Sequence, residues 1–128
     1  MIQLTEKQVI TLHHDLVQAT GGSDGLKDKD LLDSALHAPF QTYNGDSLFP
    51  TLFAKAARLG CGLVQNHPFV DGNKRTGAHT MLVFLELNGV ALSYSQEELI
   101  DIFLRLAFGK AHYDDLLQWI LDHQLSEQ

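Results

Sequence analysis

A chain of 128 residues, 45% hydrophobic and 20% charged, suits one compact domain over residues 1–128 and is too apolar for disorder. A net charge of −7 excludes a surface that tracks nucleic-acid phosphate, so no nucleic-acid partner is expected and any phosphate chemistry must be local. The lone cysteine, Cys61, excludes an intramolecular disulfide and a paired-thiol zinc site, and its apolar surroundings suit a small core residue.

MIQLTEKQ lacks a basic-then-apolar leader pattern, and no apolar run reaches membrane-spanning length. A soluble cytoplasmic protein with no membrane partner is expected. Helix signals follow in order. Thr5 and Gln8 have the spacing of a capping box, and Val9, Leu12, Leu16 and Val17 recur at helical intervals until Gly21-Gly22. A shorter helix starts at Asp28, carries Leu31, Leu32, Ala35 and Leu36, and ends at Pro39. FQTYNGDSLFP, Phe40 to Pro50, has no helical period but contains Asn-Gly, which predicts an exposed loop or small hairpin.

Leu52, Phe53, Ala56, Leu59, Gly60, Leu63 and Val64 then form the stripe of a third, amphipathic helix running into His67. GAHTMLVFLELNG is apolar around most of its circumference and stops at Asn88-Gly89, which predicts the central helix of the protein. Ser95 with Glu98 caps a fifth helix, with Leu99, Ile102, Phe103 and Leu106. A sixth holds Leu116, Leu117, Trp119 and Ile120, with Trp119 as core packing. No strand pattern of useful length appears. The predicted fold is all-α: one bundle of about six helices with a short flap loop or hairpin.

The polar chemistry is concentrated in HPFVDGNKRTG, His67 to Gly77, between the third and fourth helices. Asn73 to Thr76 fall near a helix N-terminus, where unpaired N–H groups and the positive dipole end favour an anion. Gly72 allows close backbone approach, Asn73 adds an amide, and Lys74 and Arg75 add cations. Asp71 alone would repel a phosphate there, a conflict that a bound Mg²⁺ resolves. His67 supplies a base with an ordinary pKa close to neutrality. Together these groups point to transfer from a nucleotide onto a hydroxyl. A phosphate-loop reading fails, because the Gly-x4-Gly-Lys-Ser/Thr spacing is absent.

HPFVDGNKR, with the apolar helices on either side, resembles the signature of the Fic/Doc family. GLKDKDLLDSAL and the small size resemble its Doc (death-on-curing) toxin branch. The resemblance implies a small Fic-type helical bundle in which His67 activates a target hydroxyl and Phe69 anchors the loop. Asp71 would bind Mg²⁺, Gly72 and Asn73 would line the anion site beside Lys74, and Arg75 would hold a nucleotide phosphate. Phe40–Pro50 lies where the family has a flap that aligns a target segment.

Lys74, where AMP-transferring members have glycine, and Ala78, where they have a second arginine, match the Doc branch; Gly72 follows the AMP-transferring pattern. The expectation is a toxin-type protein kinase that moves the γ-phosphate of ATP, or of another nucleoside triphosphate, onto elongation factor Tu. The alternatives are an adenylyltransferase and a non-catalytic nucleotide- or partner-binding module. No inhibitory Ser/Thr-x-x-x-Glu-(Gly/Asn) helix is present, which implies a separate antitoxin of Phd type.

His13, His14, His37, His79 and His112 form no ligand spacing and are expected as surface or satisfied polar residues. His79, one turn beyond Arg75, is placed to face the same cleft. Gly77, inside a helix, suggests close packing.

Overall fold

Helix starts are capped as their residues demand. In a computed structural model that describes residues 1–125, α1 (Glu6–Thr20) begins at Thr5, whose side chain accepts from the Gln8 N–H while Gln8 accepts from the Thr5 N–H. Asp28 caps α2 (Lys29–His37) through the Leu31 N–H at 3.0 Å. Helical bonding in α2 stops at His37, and a 3-10 turn over Ala38–Phe40 carries the chain past Pro39, which has no N–H to donate. The all-α expectation holds.

Phe40–Pro50 contains the hairpin: β1 (Thr42–Tyr43) pairs antiparallel with β2 (Asp46–Ser47). Asn44 (φ 51°) and Gly45 (φ 83°) supply the two positive φ angles that a two-residue turn of this hand needs. The hairpin is fastened to the next helix, α3 (Leu52–Asn66), by Lys55. The buried Lys55 ammonium donates to Ser47 Oγ at 3.0 Å and to the Phe49 carbonyl, and lies 5.8 Å from the Phe40 ring centroid.

Two sequence expectations need correction at α3. Its buried face is wider than the predicted stripe, taking in Ala54, Lys55, Ala57, Cys61 and Gly62 as well. It is also more central than α4 (Asn73–Leu87), since α3 packs against α2, α4, α5 (Gln96–Ala107) and α6 (Tyr113–Asp122). The physical reason is the run of small side chains, Ala54, Ala56, Ala57, Gly60, Cys61 and Gly62, which admits neighbours from every side. A Cβ on Gly60 would stand 3.2–3.3 Å from Leu116, Met81 and Phe103. One on Gly77 would stand 3.1 Å from Val64 and 3.2 Å from the Gly60 carbonyl, so Gly77 does mark close packing of α4 on α3.

The C-terminal end of α6 is tied back to α5. His123 donates from Nδ1 to the Trp119 carbonyl (2.6 Å) and from Nε2 to Glu98 (2.7 Å), so both ring nitrogens carry protons. Trp119, half-buried, lies between His123 and Tyr94. The His123 bond, followed by those from Ser95, holds the Glu98 carboxyl down to about 2. Burial works against the His123 charge, but Glu98 and the Trp119 carbonyl outweigh it and raise its pKa.

Glu98 therefore adds stability that is present above its ordinary value of 4.5 and lost as pH falls toward 2. His123 adds stability that is present below its ordinary value of 6.5 and lost as pH rises beyond it. A melting-temperature series should peak between these limits, and Glu98→Gln should flatten the acid limb. An unchanged acid limb in that variant would contradict the assignment.

Candidate functional site

The chain leaves α3 through His67, which adopts the left-handed conformation (φ 53°, ψ 52°). That geometry costs roughly 1–2 kcal/mol for a residue other than glycine. Pro68 helps end the helix there, because the residue before a proline avoids the right-handed helical region. The loop is then laid along Gly25–Asp28. Pro68 O accepts from Lys27 N–H (2.8 Å) and Asp28 N–H (3.0 Å), Val70 N–H donates to Gly25 O (3.0 Å), and Leu26 bridges Phe69.

Phe69, 1% exposed, anchors the loop in the core. Its backbone is gripped by Asn73, whose Oδ1 accepts from Phe69 N–H (2.9 Å) and whose Nδ2 donates to Phe69 O (3.0 Å). The Asn73 side chain is thus buried and spent on the loop, and what Asn73 presents to a ligand is its backbone N–H. Helix α4 begins there, after Gly72 in the left-handed conformation (φ 76°). Its first intrahelical bond runs from Thr76 N–H to Gly72 O. The N–H groups of Asn73, Lys74 and Arg75 therefore have no partner within the helix.

The Asp71 carboxylate lies exposed at that helix start. It accepts from Ser23 N–H at 3.2 Å and Gly72 N–H at 2.8 Å. These two bonds, more than the Arg75 and Lys74 charges, hold its carboxyl below the usual range. Gly22 makes room for it, since a Cβ there would fall 2.8 Å from Oδ2. Arg75 donates to Thr20 Oγ and the Gly21 carbonyl at the end of α1.

His67, Asp71, Gly72, Asn73, Lys74 and Arg75 together line one cleft of about 300 Å³, walled by Val64, Ala107 and Phe108. Every predicted site residue is in it. His79 is not: it is exposed and lines an adjoining apolar groove of about 670 Å³, which Lys74 and Arg75 line as well. An ionised carboxylate beside free helix N–H groups and two cations suits Mg²⁺ held by one carboxylate plus phosphate oxygens. Among the described residues no cluster of three His, Cys, Asp or Glu forms a metal cage of protein ligands alone.

A model of the Fic/DOC family matches residues 3–85, from ahead of α1 to near the end of α4. The chain belongs to the Fic/Doc family. It is 44% identical over 75 residues to the Toxin Doc of Mycolicibacterium smegmatis, a match covering 59% of this chain and 58% of that relative. It is 28% identical over 110 residues to the Protein kinase doc of Escherichia phage P1, covering 86% of each. The first of these alignments thus spans little more than half of the relative's length. Among the described residues no helix is long and apolar enough to cross a membrane.

Sequence reasoning missed two residues that the fold brings to this loop. Lys27 places its ammonium 3.3 Å from His67 Nδ1. An ammonium can only donate, so the contact engages the Nδ1 lone pair. His13, expected as an ordinary satisfied histidine, is satisfied but lies under the motif, donating to the Asp71 carbonyl at 2.7 Å. Neither is close to the motif in sequence, being 40 and 58 residues from its partner.

Proposed function

We propose that the chain is a toxin-type protein kinase of a toxin–antitoxin pair, a single domain acting in the cytoplasm. It moves the γ-phosphate of ATP onto a hydroxyl of elongation factor Tu and so arrests translation. The observation that carries this reading is the convergence of base, ionised carboxylate, cations and free helix N–H groups on one cleft.

His67 takes the proton from the target hydroxyl as its oxygen bonds to the γ-phosphorus. The bond from that phosphorus to the bridging oxygen breaks, and ADP leaves with the electron pair. The N–H groups of Asn73, Lys74 and Arg75, with the Lys74 and Arg75 side chains, hold the phosphates, and Gly72 lets them approach the backbone. Asp71 is the residue to hold Mg²⁺, which when bound neutralises phosphate charge. Lys27, whose ammonium meets His67 Nδ1, must give up that contact when the ring takes the hydroxyl proton, because a neutral imidazole has a single lone pair. The hairpin, with Tyr43 70% exposed, offers an edge for a target segment.

Lys74 and Ala78 favour phosphate over AMP transfer. Lys74 crowds the position where the α-phosphate would lie, and Ala78, nearly buried, leaves no second guanidinium for the outer phosphates. The phage P1 relative, a protein kinase by name, points the same way. An antitoxin of Phd type suits the apolar groove lined by Leu16, Ala78, Leu82, Leu99, Phe103 and Leu104. A helix seated there would end beside Lys74 and Arg75.

Purified protein, Mg²⁺ and elongation factor Tu should transfer label from γ-labelled ATP and not from α-labelled ATP. Label from the α position alone would replace this reading with the adenylyltransferase. Nucleotide binding with no transfer to any protein in a cell extract would favour the binding module.

A further inference from the structure

We infer that His13 is a positioning residue of this site: it fixes the peptide between Asp71 and Gly72, and through it the aim of the Asp71 carboxylate. The inference rests on Asp71 being the metal-binding carboxylate. His13 is on α1, 1% exposed, with its ring stacked on Phe69 at 3.9 Å between centroids and 7° between planes. Its Nε2 lies 2.7 Å from the Asp71 carbonyl oxygen. A carbonyl can only accept, so Nε2 carries the proton. The other nitrogen, Nδ1, faces Asp24 at 3.6 Å, while the second Asp24 oxygen is taken by His14.

A peptide unit is planar and trans, so its C=O and N–H point in opposite directions as one rigid piece. The Asp71 carbonyl held by His13 and the Gly72 N–H belong to the same unit. That N–H donates to Asp71 Oδ1 at 2.8 Å. Fixing the carbonyl on the α1 side therefore fixes the donor that orients the carboxylate on the cleft side. Gly72 serves here through its left-handed backbone (φ 76°) and not through space, since a Cβ there would make only an ordinary 3.7 Å contact with His13 Nε2. A core filler would not need this chemistry. A phenylalanine would stack on Phe69 equally well, and burying an imidazole without its bond is unfavourable.

His13→Phe separates the two roles, because it keeps the flat ring and the stack and loses only the donor. Binding of Mn²⁺ as a spin probe, measured by magnetic resonance with a non-hydrolysable ATP analogue, reads the carboxylate without needing turnover. His13→Phe should weaken Mn²⁺ binding by about 10-fold or more, as loss of an outer partner of a metal ligand does. Its melting temperature should stay near that of the wild type. His13→Gln, which restores an N–H donor, should recover much of the affinity. In turnover, the His13→Phe defect should shrink as Mg²⁺ is raised, which a general loss of fold would not do.

Asp71→Ala is the control for the underlying reading. If Asp71→Ala loses Mn²⁺ while His13→Phe binds it as wild type does, the positioning role is overturned and the Asp71 reading stands. If Asp71→Ala binds Mn²⁺ normally, both fall. A His13→Phe protein that fails to fold would show that the bond serves the core instead of the carboxylate, and would also overturn the inference.

Discussion

His67→Ala is expected to cut phosphate transfer by roughly 10²- to 10⁴-fold, the usual cost of removing a general base, and to abolish growth arrest. The fold should barely register the change. His67 is exposed, so no cavity opens, and the left-handed backbone at this position is about as costly for alanine as for histidine. The helical circular dichroism spectrum should be unchanged and stability should move by less than about 1 kcal/mol. Because Pro68, the Gly25–Asp28 pairing and the Asn73 clamp hold the loop independently of the imidazole, nucleotide binding should persist. A variant as active as the wild type would remove His67 from the mechanism. A variant that lost nucleotide binding and activity together would instead make His67 a binding residue.

Local signals made the scaffold readable from the residues. Thr5, Asp28 and Ser95 announce helix starts because their caps close within a few residues, and Asn44-Gly45 announces the hairpin because few other pairs accept its turn. The motif is likewise one continuous stretch, so its cleft residues could be named together. What periodicity could not show was the depth of α3. Alanine and glycine on its outer face read as weakly polar in a pattern, yet their small size is what lets α2, α4, α5 and α6 close around it.

The support beneath the motif is hidden for a different reason. Ser23, Lys27 and His13 meet Asp71 and His67 across 40 to 58 residues of chain, and no local spacing encodes such contacts. Asn73 shows the opposite case. Its four-residue distance from Phe69 was visible, but an amide can serve an anion or a backbone equally well, and only the fold shows it spent on Phe69.

Phe69→Ala should give the largest loss of stability, about 3–5 kcal/mol, the range for truncating a buried aromatic. Against a typical total of roughly 5–15 kcal/mol for a domain, that is a large share, and the melting temperature should drop by roughly 10 °C or more. Two losses combine: the core surface that Phe69 fills, and the face on which the His13 ring lies. The loop backbone should nevertheless stay in place, because Asn73 binds the N–H and C=O of residue 69 and not its side chain. Activity lost in Phe69→Ala should therefore return in part at low temperature, whereas the loss in His67→Ala should persist at every temperature. Thermal melts followed by activity assays at about 10 and 37 °C would separate the two. A Phe69→Ala protein with wild-type melting would mean that the side chain is not the anchor its burial indicates, and that the loop is held by its backbone alone.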